Sequence, residues 1–167
     1  MRLLRRKGPL ADVLGRLDLA RGERVLAHAA AGPSHVVATN RALLLPSADG
    51  WRRVAWHAVT RAKWDDEAET LRVEEYGATG PVRHVVALDA PGHIPATVRE
   101  RVTASIAVSR HVPLVGRTGV RVVGRRVPGE PELRWQLVFD AGLDMEDAWL
   151  RARADEALAE VRREMSA

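Results

Sequence analysis

Cysteine is absent from the 167 residues, which excludes disulfides, thiolate metal sites and a cysteine nucleophile. Lysine is almost absent too, with only Lys7 and Lys63, so arginine carries the positive charge. With abundant Ala and Val, that bias is what GC-rich codon usage in a bacterial genome produces, and arginine in place of lysine is weak evidence for phosphate binding. Aromatics make up 4% of the chain, most of them Trp51, Trp56, Trp64, Trp135 and Trp149. These few rings must carry an outsized share of the core energy. No apolar run approaches the roughly 20 residues that span a bilayer. The basic start, Met1 to Pro9, is followed by no apolar stretch of signal-peptide length, so a cytoplasmic location is expected. There is also no Gly-rich phosphate loop, dinucleotide fingerprint, Gly-x-Ser-x-Gly elbow or His-Glu-x-x-His motif. No cofactor, no catalytic residue and no metal site are expected.

What is present is ordinary for a globular protein: 46% apolar residues, 29% charged and a formal charge of +4. Such a balance permits acidic partners without demanding them. Leu10, Val13, Leu14 and Leu17 recur at helical spacing, predicting a short helix from Pro9 to Leu17. The arm before it, Arg2, Arg5, Arg6 and Lys7, is read as solvated terminus or as a contact for anionic lipid or RNA. From Gly22 onward the chain becomes a dense meander. Glu23 to Ala30, His35 to Thr39, Ala42 to Pro46, Trp51 to Trp56, Arg61 to Trp64 and Leu71 to Glu75 read as strands, and Val82 to Asp89 as a seventh. Asn40-Arg41 has tight-hairpin chemistry, because Asn tolerates a left-handed backbone. Pro95 then opens a helix in which Val98, Val102, Ile106 and Ser109 form a stripe, ending near Arg110 ahead of Pro113.

That order of elements, with the Gly-Glu-Arg-Val-Leu opening, the Val-Val-Ala-Thr-Asn-Arg-Ala-Leu-Leu-Leu-Pro hairpin and the Trp-Arg-Arg-Val-Ala-Trp strand, resembles the bacterial pleckstrin-homology-like (PH-like) domains over residues 22–110. The resemblance implies an α+β fold: an antiparallel barrel of about seven strands capped by a helix. It also implies a scaffold that binds phosphoinositides, peptides or protein surfaces, although a fold alone does not give a function.

Residues 111–167 depart from that pattern and are expected to form a hairpin and helix packed on the barrel, with residues 1–21 as an N-terminal arm. Gly119 to Val127 and Glu132 to Phe139 flank Pro128-Gly129 as a hairpin. Leu133, Trp135, Leu137 and Phe139 share one face of it. Asp144 is expected to cap a final helix with the stripe Leu150, Ala154, Ala157, Leu158, Val161 and Met165. The economical arrangement is one core shared with the barrel; the alternative is that the apolar face makes a homo-oligomer.

Three candidate sites emerge. His28 and His35 approach across the Gly32-Pro33 turn, where Asp89 or Glu23 would complete an enzyme-like or metal cluster, while His84 reads as a core histidine. Asp65-Asp66-Glu67 with Glu69 reads as a solvated turn rather than a calcium loop. Finally, Arg101 to Gly129 contains no acidic residue. Within it, Arg117, Arg121, Arg125 and Arg126 suggest a binding strand, with Arg121 and Arg125 on one face. The other reading pairs these arginines with Glu130, Glu132 or the C-terminal helix. The expected function is a non-catalytic binding module for a protein partner or an anionic surface. A nucleic-acid-associated protein using the arginine strand is the alternative, and an enzyme at the histidines a third.

Overall fold

The computed structural model describes residues 9–166; the arm containing Arg2, Arg5, Arg6 and Lys7 lies outside the described residues. The fold is α+β, with three antiparallel sheets and a C-terminal helix. A short helix, α1 (Pro9–Gly15), precedes the first sheet. That sheet runs in chain order through β1 (Val25–Ala31), β2 (Ser34–Thr39), β3 (Ala42–Ser47) and β4 (Gly50–Ala55). Gly32 turns β1 into β2 at φ +56°, a backbone region that side chains with a Cβ avoid.

The β2–β3 turn closes by a different device from the one expected. Asn40 does not adopt a left-handed backbone; Glu69 is the one non-glycine residue with positive φ among those described. Instead, the Ala42 amide donates to Thr39 Oγ1 (2.9 Å). The Asn40 side chain is turned backward, accepting from Arg24 N and donating to Gly22 O.

A one-turn 3₁₀ segment, Trp56–Ala58, carries the chain round a corner. The second sheet follows as β5 (Val59–Asp65), β6 (Thr70–Glu75) and β7 (Val82–Ala87), and then α2 (Ile94–Ser105). The period-2 alternation of Leu71 and Val73 and the helical stripe of Ile94 and Val98 meet in one cluster. Leu43, Leu45, Val54, Trp56 and Leu88 join them there. Both sheets thus share a core, but among the described residues no hydrogen-bonded ladder closes them into the expected barrel. The 3₁₀ segment separates β4 from β5, which do not pair, and α2 packs against β1, β2 and β5.

The largest departure from expectation comes next. α2 ends at Ser105, not Arg110, and Ile106 is already extended (φ −80°, ψ 119°). A further strand, β8 (Ile106–Val115), starts at once and pairs with β9 (Thr118–Arg125), which pairs with β10 (Arg134–Phe139). Ser105 Oγ donates back to Val102 O (2.7 Å), the local bond by which serine competes with helix continuation. Pro113 is tolerated because β8 is an edge strand with a register shift at that proline, the setting in which proline fits a sheet.

The C-terminal helix α3 (Ala148–Ser166) covers this third sheet. Its stripe of Ala154, Ala157 and Val161 packs on Val120 and Val122, with Trp135, Leu137, Phe139 and Leu158 alongside. The apolar hairpin face therefore packs partly against a helix of the same chain. Its cap is Asp147, whose Oδ1 accepts from Leu150 N (2.9 Å), three residues on. Asp144 instead accepts from Glu146 N in the turn before. The two apolar clusters remain separate rather than forming one core. Among the described residues, no helix is long and apolar enough to cross a membrane.

Candidate functional site

The four arginines of the candidate strand have three different fates. Arg117 is exposed at the β8–β9 turn, and Arg121 is exposed on β9. Arg125 is the opposite: only 2% exposed, it is the largest fully buried side chain. Its Nη1 donates to Ser105 Oγ (2.8 Å) and Val102 O (3.3 Å), and its Nη2 to Val59 O (2.8 Å). Among the described residues, no carboxylate pairs with it. The counter-charge is the C-terminal end of α2, whose unsatisfied carbonyls carry partial negative charge. Burial pushes its pKa down from the usual arginine value, but guanidinium stays protonated in proteins. Arg125 is thus a tie between the first core and the third sheet, unavailable to a ligand. Gln136 makes a second tie, donating Nε2 to His57 O (2.6 Å). The expected pairing with Glu130 is made by Arg134 instead (2.6 Å), and Arg126 donates Nη1 to Ile106 O (2.9 Å).

The histidine candidates approach each other as expected but gather no metal-binding group of three among the described residues. His35 faces Ala30 and His28 faces Val37 across the β1–β2 ladder, so the two are diagonal neighbours. Glu23 is committed elsewhere: its buried carboxylate accepts from Thr39 Oγ1 (2.5 Å), Arg53 Nη2 (2.7 Å) and Ala20 N (3.1 Å). No group of three or more His, Asp or Glu suited to a metal occurs among the described residues. His84 is half-buried with Nε2 3.1 Å from Glu75 Oε2, which also accepts from Arg52. At the acidic turn, Asp65 accepts from Ala68 N and Asp66 from Trp64 Nε1, so those carboxylates serve the turn.

A groove that the sequence reading missed lies between β5 and α2. It encloses about 720 Å³, with Trp64, Leu71 and Val98 among its apolar walls and Arg61, Lys63 and Arg99 as its charged residues. No acidic side chain lines it. None of those three cations forms an ion pair among the described residues. Among the described residues β5 pairs only with β6, so none of their strands occupies its other edge. An unpaired edge beside an apolar, positively charged trough is a surface on which an extended chain can add as a strand. The period-2 spacing of Arg61 and Lys63 was visible in the sequence; that a helix 36 residues later supplies the facing wall and Arg99 was not.

No protein-family model, curated protein or solved structure matches this chain. The site must therefore be read from its own chemistry.

Proposed function

We propose that this chain is a non-catalytic binding module on a PH-like scaffold, working in the cytoplasm. Its ligand is an extended, acidic segment of a protein partner. The observation that carries this reading is the β5–α2 groove: a strand edge, an apolar wall and three cations that, among the described residues, are unpaired and have no acidic neighbour in the lining. Main-chain bonds to β5 supply affinity, and the alternate side chains of the bound segment supply specificity. Positive charge around the groove raises the encounter rate and disfavours basic competitors. The order of seven strands and a helix supports the PH-like reading; the unpaired edges of β4 and β5 distinguish it from a closed barrel. The nucleic-acid alternative loses its main support with Arg125 turned inward.

Selection from a random peptide library tests the proposal. Retained peptides should alternate apolar residues with Asp or Glu, bind more weakly as salt rises, and be lost on Arg61→Glu/Lys63→Glu. Arg121→Glu should leave them bound. A library that yields no acidic enrichment, or binders indifferent to Arg61 and Lys63, would refute it.

A further inference from the structure

A second cleft, of about 490 Å³, opens where the third sheet meets the first core. Arg41 from the β2–β3 turn, Arg101 from the last turns of α2 and Arg126 just beyond β9 all line it, with Leu133, Pro128 and an edge of Trp56 as apolar surface. Two of these arginines are held by main-chain carbonyls: Arg41 Nη2 donates to Arg21 O (2.8 Å) and Arg126 Nη1 to Ile106 O (2.9 Å). Each bond uses one of five donors and fixes the fork in place. Arg101 contacts Glu100 on the helix exterior, and its Nε is shut from solvent without a partner among the described residues. Of the two carboxylates in the lining, Glu130 is paired with Arg134 and Glu132 is exposed.

Three guanidinium groups line one concavity, and of them only Arg101 has a carboxylate partner among the described residues. Their combined donors exceed what a carboxylate's two oxygens can accept, whereas a phosphate monoester brings nearly two charges and three acceptor oxygens. We propose that this cleft binds a small phosphorylated molecule, with the phosphate held by Arg41, Arg101 and Arg126 and its apolar part resting against Leu133 and Pro128. His57, also in the lining, is the reporter of occupancy. Burial, and then the charge of Arg134, lowers its pKa from the usual imidazole value; a bound dianion beside it acts in the opposite direction. The cleft shares no lining residue with the β5–α2 groove, so each proposal stands or falls on its own test.

Phenyl phosphate, added to the full chain at constant ionic strength, is the direct probe. NMR should show saturable shifts confined to the Trp56 indole, the His57 ring and the Leu133 methyls, and His57 should titrate at higher pH when phenyl phosphate is bound. Benzoate should bind about tenfold more weakly. Arg126→Gln and Arg41→Gln should each weaken phenyl phosphate about tenfold or more, while Arg117→Gln, at the other end of β9, should leave it unchanged. Vesicles containing phosphatidylinositol 4-phosphate form the second arm. Sedimentation with them that Arg126→Gln abolishes, without saturable phenyl phosphate binding, would identify the phosphate as that of a lipid headgroup. The wild-type shift pattern decides the matter if a variant fails to fold. Absence of saturable binding in both arms, equal affinity for benzoate, or equal loss on Arg117→Gln would overturn the proposal.

Discussion

Arg125 shows how far one side chain's role depends on what packs against it. Buried, tied to Val59 O and Ser105 Oγ, and facing the carbonyl end of α2, it cannot be shortened without orphaning its acceptors and leaving a cavity. Arg125→Ala should therefore cost about 2–4 kcal/mol in chemical denaturation. Arg121→Ala, on the same strand but exposed, should cost less than about 1 kcal/mol. Equal, small losses would show that the tie contributes nothing. Glu23 makes a pH-dependent contribution of the same kind. Burial alone would raise its pKa, but hydrogen bonds from Thr39, Arg53 and Ala20 outweigh it, and the folded value lies below the ordinary one. A carboxylate depressed in the folded state stabilises fully above its unfolded pKa, roughly 4.3. That stability is lost as pH falls from there through the folded value. Glu23→Gln should flatten the fall in denaturation midpoint between neutral and acid pH; an unchanged slope would assign the acid sensitivity to other carboxylates.

At the level of elements, the third sheet depends on close backbone approaches that sequence propensity does not reveal. A Cβ placed on Gly119 would lie 2.0 Å from Val112 O, and the Gly119 amide donates to Asp140 Oδ2 (2.7 Å). Gly119→Ala should push β8 and β9 apart, with a loss of about 1–3 kcal/mol or more. A melting temperature within a degree of wild type would show that the strand pair relaxes freely. The cap of α3 is a milder test: Asp147→Ala should cost about 1 kcal/mol and Asp144→Ala less, reversing the order that the sequence pattern suggests. β8 itself was hidden because Val98, Val102 and Ile106 keep a helical spacing of four straight through the junction. Only the Ser105 back-bond and the availability of β9 as a partner end the helix there.

Across the whole molecule, two apolar clusters meet through a polar layer of Arg125, Gln136 and Ser105. Hydrogen bonds to fixed carbonyls are directional, so this layer sets how the third sheet sits on the first core more tightly than apolar contact would. Arg125→Ala/Gln136→Ala should then loosen the junction before either cluster melts, seen as faster hydrogen exchange in β9 and β10 with β1–β4 unaffected. Uniform acceleration everywhere would mean that the clusters unfold only together. The two proposed sites follow from the same architecture: one groove lies between β5 and α2, the other at the junction.

The strands of both hairpins, the inward stripe of α3 and the apolar face at Trp135, Leu137 and Phe139 could be read from the chain alone. Each depends on a local period, of two or of 3.6 residues, that one segment carries by itself. Composition likewise excluded disulfide and thiolate chemistry outright. The tertiary structure decided which arginine faces inward, where α2 yields to β8, and that β4 and β5 do not pair. It also brought Arg61 and Lys63 opposite Arg99, and Arg41 and Arg101 beside Arg126. Periodicity states only that two residues share a face. Whether that face meets water, a helix terminus or another sheet depends on segments dozens of residues away, and is settled only when they pack.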